Sequence, residues 1–69
     1  MSVTTTYTVN GMTCGHCASS VTEELTAVAG VTGVDVQLAT GAVTVTSTRE
    51  LTADEVGAAV TEAGYELVG

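Results

Sequence analysis

The feature of this 69-residue sequence that most limits its fold is the order in which two hydrophobic periods follow one another. In four short segments of the sequence, apolar side chains recur at every second residue. In two longer segments, each of which lies between two of the short ones, apolar side chains recur at helical spacing. A period of two indicates a strand with one buried face, and a period near 3.6 indicates a helix with one apolar stripe. The order predicts strand-helix-strand twice in succession.

The first half begins with a strand predicted from Val3 to Val9, in which β-branched and aromatic residues alternate with threonine. Asn10-Gly11 ends this strand and opens a loop. A helix is predicted from about Gly15 to Ala29, followed by Gly30 as a left-handed terminating residue. Its apolar stripe consists of Cys17, Val21, Leu25 and Val28.

The second half repeats the pattern. Two strands are predicted from Val34, Val36 and Leu38 and from Val43 and Val45, joined by a hairpin in which Gly41 takes a positive φ. Thr52-Ala53-Asp54-Glu55 is a capping box that starts a second helix, and Gly64 ends it. The predicted inner face of this helix is Val56, Ala59, Val60 and Ala63. Residues 65–68 form a short last strand.

The apolar faces of the four strands and the two helices are all buried when the two helices cover one side of a four-stranded antiparallel sheet. The sequence therefore predicts an α+β fold, the ferredoxin-like βαββαβ sandwich, as one domain over residues 1–69.

Composition excludes several function classes. The net charge is −7, with Arg49 as the single basic residue, so the chain is expected to bind neither nucleic acid nor an anionic membrane surface. No apolar run approaches the length of a membrane span, and residues 1–9 do not resemble an export signal. We therefore expect a soluble, cytoplasmic protein whose thiols stay reduced.

The loop Gly11-Met12-Thr13-Cys14-Gly15-His16-Cys17 contains both cysteines and the single histidine. Structural zinc sites and iron–sulfur clusters need four ligands, which one copy of this chain does not supply, and carboxylates for a hard cation are missing near Cys14. Two thiolates are adequate for a soft ion of low coordination number. The sequence predicts that Cys14 and Cys17 bind Cu(I), with the start of the helix stabilising the thiolates.

Other interpretations of this region remain open. Two cysteines at this spacing also occur as a redox dithiol or as small core residues, although the Trp and Pro of thioredoxin-type sites are missing from the chain. Met12 is expected to be a packing anchor, with a thioether ligand as the alternative. His16 is either exposed or a third ligand, particularly in a metal-bridged dimer. Tyr65 either packs on the core or shields the metal.

Together, the cysteine loop after the first strand, the Val21/Leu25 helix, Gly30-Val31 and Gly64-Tyr65 resemble the heavy-metal-associated domain family, over nearly the whole chain. Among its members the sequence is most similar to the stand-alone bacterial copper chaperones. The resemblance implies that Cys14 and Cys17 hold Cu(I), that Met12 is a buried tether of the loop and that Tyr65 faces the metal.

The resemblance also implies a function without catalysis. A copper chaperone binds one Cu(I) per monomer, or shares it in a thiolate-bridged dimer, and is monomeric without metal. It passes the ion by ligand exchange to the metal-binding domain of a copper-transporting P-type ATPase in the cytoplasm. The alternatives are a metal-binding domain of a transporter, a copper storage or buffer module and, less favoured, a dithiol redox protein.

Overall fold

The computed structural model describes residues 2–13 and 15–68. Along these residues the elements follow the predicted order: β1 (Val3–Asn10), α1 (Gly15–Thr26), β2 (Val31–Gln37), β3 (Ala42–Ser47), α2 (Ala53–Glu62) and β4 (Glu66–Val68). The strands form one antiparallel sheet in the order β2-β3-β1-β4. The predicted α+β ferredoxin-like βαββαβ fold is confirmed.

The register of the sheet fixes what lies at each end of it. Asn10 at the end of β1 pairs with Glu66 at the start of β4, and the backbone N–H of Val9 donates to the Gly41 carbonyl at 2.9 Å. We call this end, with residues 10–13, 38–41 and 64–66, the loop end. At the opposite end Val3 pairs with Ser47, shortly before the start of α2. The cysteine loop and the start of α2 therefore lie at opposite ends of the sheet.

The core is small and aliphatic, as expected from the composition. Val21, Leu25, Val56 and Val60 on the helices are fully buried against Val43 and Val45 of β3. The complete set of buried hydrophobic residues in the described chain is Val9, Met12, Val21, Leu25, Val43, Val45, Val56, Ala59 and Val60. Helix α1 thus buries Val21 and Leu25 of its predicted stripe, and α2 buries Val56, Ala59 and Val60. The other predicted stripe residues, Cys17, Val28 and Ala63, are half-buried and pack against this core. Both helices lie on one face of the sheet.

Several element boundaries differ from the prediction: β1 extends to Asn10, β2 begins at Val31 rather than Val34, β4 begins at Glu66, and the ends of α1 and β2 also shift. Helix α1 ends at Thr26 rather than Ala29, because the α-helical hydrogen bonding stops there. The N–H of Val28 donates to the carbonyl of Leu25, which is three residues back rather than four. Val28 nevertheless packs against the core. Strand β2 ends at Gln37, whose carbonyl accepts hydrogen bonds from the N–H groups of two hairpin residues. Leu38 consequently lies in the hairpin and is 40% exposed.

Helix α2 agrees with its predicted signals at both ends. The Thr52 hydroxyl accepts from the backbone N–H of Glu55, and the Glu55 carboxylate accepts from the backbone N–H of Thr52. Gly64 has a φ of +93°, and the next N–H, of Tyr65, donates to the Val60 carbonyl. Within the described part of the chain, neither helix has the length and apolarity that a membrane span requires.

Candidate functional site

The cysteine loop begins at Gly11, which lies close to the side chain of Tyr65. Gly11 has a φ of +96°, a conformation that residues with a side chain rarely adopt. A Cβ atom at this position would lie only 3.2 Å from Cδ1 of Tyr65, so the tyrosine ring leaves little room for a side chain where the loop begins. Tyr65 is half-buried and packs against the core. The end of α2 therefore supports the loop from the other half of the fold.

Met12 fixes the loop from inside. Its side chain is 9% exposed and belongs to the core cluster, whereas Thr13, the next residue, is exposed. A long, flexible apolar side chain such as methionine fills an irregular gap between elements well. The backbone thus passes from the core to the surface within one residue, just before the cysteines.

Cys17 lies in the first turn of α1, at the boundary between core and surface. It is half-buried and packs against the core cluster. The Thr13 hydroxyl lies 3.8 Å from its sulfur, within hydrogen-bonding range for sulfur. Because Thr13 is exposed, this contact shows that the Cys17 sulfur is on the loop side of the helix.

The other predicted site residues are distributed as follows. Cys14 lies outside the described residues, so its role as a ligand stays a prediction. His16 is exposed on the first turn of α1. Across residues 2–13 and 15–68, no three His, Cys, Asp or Glu side chains are grouped closely enough to hold a metal ion.

The charge around the start of α1 is low. The first turn of the helix contains no acidic residue, and the sequence carries no formally charged side chain before Glu23 when the histidine and thiols are neutral. The N–H groups at a helix start favour negative charge. A thiolate at this position would therefore be stabilised by the helix start without competition from a carboxylate in the same helix turn.

A different charged pair, which sequence reasoning missed, lies at the opposite end of the molecule. Arg49 binds the Glu55 carboxylate through both oxygens, at 2.6 and 3.1 Å. The hydrogen bonds from Arg49, and next from the Thr52 backbone, lower the pKa of Glu55 to about 2, and the same pairing raises the pKa of Arg49. The only available signal was that the single basic residue stands six positions before the acid of the capping box. This pair belongs to the scaffold.

The donor chemistry near the start of α1 is of the kind that suits a soft cation. A sulfur lies next to a hydroxyl, on an uncharged stretch of chain, and the described residues group no carboxylates there for a hard, oxygen-preferring ion. The sequence adds a second thiol at Cys14, three positions before Cys17.

Comparison with known proteins agrees with this chemistry. The profile of the heavy-metal-associated domain matches residues 6–66. The copper chaperone CopZ of Staphylococcus aureus is 38% identical over 61 residues, which is 87% of this chain and 90% of that protein. A copper-transporting ATPase of Saccharomyces cerevisiae is 36% identical over 58 residues, 84% of this chain but only 6% of the ATPase.

A solved structure shows the same relationship in three dimensions. A CopZ metallochaperone superposes with a TM-score of 0.88 at 34% identity, covering 96% of this chain and all of that one (100%). The two CopZ proteins, which match over nearly their whole length, are thus named as chaperones, in keeping with the prediction that this chain is not an enzyme.

Proposed function

The chain belongs to the heavy-metal-associated domain family, and from this premise we propose that it is a cytoplasmic metallochaperone that carries Cu(I). The observation that carries the proposal is the Cys17 sulfur on the loop side of α1, beside the exposed Thr13 hydroxyl. A sulfur placed there can reach an ion and an incoming partner, which a sulfur in the core cannot. The names of the relatives supply the choice of copper among soft ions.

The proposed ligands are the thiolates of Cys14 and Cys17, with one Cu(I) per monomer. Cu(I) is a soft ion that tolerates two sulfur ligands. Binding releases the thiol protons that remain, so the affinity should rise with pH. His16, exposed on the first turn of α1, is the candidate third ligand, particularly where two copies share one ion through bridging thiolates. Without metal the protein is a monomer.

Transfer then proceeds by ligand exchange. A thiolate of the partner binds the two-coordinate Cu(I) to give a three-coordinate bridged intermediate, and one Cu–S bond to this chain breaks as a second partner thiolate binds. The remaining Cu–S bond to this chain then breaks, which leaves Cu(I) on the two partner thiolates. The copper stays Cu(I) throughout, and no aqueous ion is released. Tight binding is therefore compatible with fast transfer.

The scaffold keeps the loop in place during this exchange. Met12 is anchored in the core and Gly11 lies against the Tyr65 ring, so the backbone at the loop entry has little freedom. We propose that Met12 acts as the tether of the loop and that Tyr65 shields the metal on the side facing α2. Ligand rearrangement is then confined to the cysteine side chains.

The proposed partner is the metal-binding domain of a copper-transporting P-type ATPase. A segment of the yeast ATPase is 36% identical to this chain over 58 residues, so donor and acceptor would present similar loops. Similar ligand sets on both sides allow exchange in which neither partner has a large thermodynamic advantage.

An anaerobic Cu(I) titration against a competing chelator tests the binding proposal. We expect one equivalent of Cu(I) per monomer, with tight binding lost in both Cys14→Ser and Cys17→Ser. Ser19→Ala, an exposed substitution on the same helix, is the matched control and should bind as the wild type does. A Cys→Ser variant that kept wild-type affinity would show that these thiols are not the ligands.

A second candidate is a metal-binding domain of a longer copper transporter, which the match to the yeast ATPase favours. The two candidates bind copper in the same way but differ in the size of the native polypeptide. Immunoblotting of the source cells with an antibody to this domain separates them: a band near 6.9 kDa supports the chaperone, and a much larger band supports the transporter domain.

A further inference from the structure

We propose that Thr13 is a positioning residue: its hydroxyl holds the Cys17 sulfur on the loop side of α1 and so sets how readily that sulfur binds and releases Cu(I). The positioning itself follows from the geometry of the metal-free protein. Only its consequence for copper rests on the proposed function.

The position of Cys17 in the helix favours burial of its side chain. It precedes Val21 and Leu25 on one stripe, and both of these residues have no exposed surface. Cysteine behaves as a small hydrophobic residue when it is protonated. Packing alone would therefore draw the sulfur toward the core, away from the surface on which ligand exchange takes place.

Thr13 provides the opposing interaction. Its Oγ1 lies 3.8 Å from the Cys17 sulfur, and its own side chain is exposed. The hydroxyl can donate to a sulfur lone pair, a bond that becomes stronger when the sulfur is ionised. A sulfur that accepts this bond points toward Thr13 and hence toward solvent.

The hydroxyl is itself well placed. Met12 immediately before it is buried, and Gly11 lies against Tyr65, so the backbone that carries Thr13 is held from two sides. The threonine side chain is β-branched and has a restricted χ1 angle. Little further ordering is needed for the hydroxyl to reach the sulfur.

The second helix shows that this arrangement is particular to the loop end. Thr52, next to the start of α2, accepts a hydrogen bond from the backbone N–H of Glu55 at 3.1 Å and thereby caps the helix. At α1 the threonine hydrogen bond is made to a side-chain sulfur. The same residue type therefore stabilises backbone at one helix and orients a proposed ligand at the other.

Two substitutions separate the hydroxyl from the shape of the side chain. Thr13→Val keeps the branched shape and removes the O–H group, and Thr13→Ser keeps the O–H group. In the metal-free, reduced protein, Hα–Hβ couplings measured by NMR report the χ1 population of Cys17. We expect Thr13→Val to shift this population and Thr13→Ser to leave it near that of the wild type.

The same variants are then compared in Cu(I) competition and transfer. Loss of one exposed hydrogen bond to sulfur should weaken Cu(I) binding about three- to tenfold in Thr13→Val, with recovery in Thr13→Ser. Unchanged couplings and affinity in Thr13→Val would overturn the proposal, as would equal losses in both variants. A wild-type protein that bound no Cu(I) would contradict the proposed function, while the couplings would still test the role of Thr13.

Discussion

The two helices of this sandwich begin in opposite ways. The start of α2 is closed by its own side chains, since Thr52 and Glu55 satisfy each other's backbone N–H groups and Arg49 neutralises the carboxylate. The start of α1 has no acidic residue in its first turn and begins beside the cysteine loop. The halves share one strand-helix-strand plan, yet among residues 2–13 and 15–68 a carboxylate accepts a backbone hydrogen bond at the start of α2 and none lies in the first turn of α1.

This difference indicates that the two helix starts have different roles. A helix start that is capped and paired contributes to stability, whereas one without a carboxylate leaves its dipole available to a thiolate and to cargo. Substitutions at α2 should therefore change unfolding without changing copper binding. Substitutions at the loop end should change copper binding first.

The largest expected effect is that of Cys17→Ser on Cu(I) affinity. Because the substitution removes one of the two proposed Cu–S bonds, and not merely a hydrogen bond to a ligand, the affinity should fall on the order of a thousandfold or more. The free energy of unfolding of the metal-free protein should change little, because the residue is only half-buried. Chelator competition and chemical denaturation measure the two effects. A large loss of stability with intact binding would reverse the assigned roles.

The next effect concerns the loop entry, where Gly11→Ala should destabilise the fold by about 1–3 kcal/mol. The new Cβ would have an unfavourable positive φ and would press on the Tyr65 ring. Thermal unfolding of the metal-free protein measures the loss.

Gly15→Ala is the matched control for this substitution, on the other side of Cys14. Apart from the chain neighbours and the backbone of α1, no atom of the described residues lies within 4 Å of a Cβ at Gly15, and alanine is the better helix former. We therefore expect this variant to be as stable as the wild type or slightly more so. Equal destabilisation by both substitutions would mean that the contact with Tyr65 does not hold the loop.

At the other helix start, Thr52→Ala should lower the free energy of unfolding by about 1 kcal/mol. The substitution leaves the N–H of Glu55 without its side-chain acceptor. Thr52→Ser keeps the hydroxyl and should recover most of the loss. Cu(I) affinity should be the same in all three proteins, and a parallel loss of affinity would show that the two ends of the sandwich are coupled.

The smallest effect is a dependence of stability on acidic pH. The pKa of Glu55 is about 2 in the folded protein and about 4.5 in its ordinary state, so its ionised form stabilises the fold above pH 4.5. This contribution is lost as the pH falls toward 2, because protonation removes the hydrogen bonds from Arg49 and Thr52. Glu55→Gln should therefore reduce the loss of folding stability between pH 4.5 and 2, measured by denaturation at a series of pH values. An unchanged loss of stability in this variant would show that other carboxylates cause it.

Much of this fold could be predicted from the sequence because its signals are local. Periodicity identified every strand and both helices, and the four residues from Thr52 to Glu55 specified a capping box that the structure contains. The end of α1 and the place of Leu38 were less accurate, since both depend on which carbonyls accept hydrogen bonds in a turn. Apolar periodicity does not contain that information.

The sequence predicts which residues form the proposed site, but not how they are arranged. The spacing of Cys14 and Cys17 named the proposed ligands, and Met12 is buried, which is the environment expected of an anchor. The Gly11–Tyr65 contact joins residues 54 positions apart, and the Thr13–Cys17 hydrogen bond depends on side-chain directions across a loop. Both follow from tertiary packing rather than from any short-range rule.

The most direct test of the account is the rate at which the Cu(I)-loaded protein gives up its ion to a metal-binding domain of a copper-transporting ATPase. Stopped-flow mixing under anaerobic conditions, at several acceptor concentrations, compares this rate with spontaneous loss of Cu(I) to a strong chelator. Direct ligand exchange predicts that the transfer rate rises with acceptor concentration and exceeds the rate of spontaneous loss. A transfer rate that equals spontaneous loss at every acceptor concentration would contradict direct exchange.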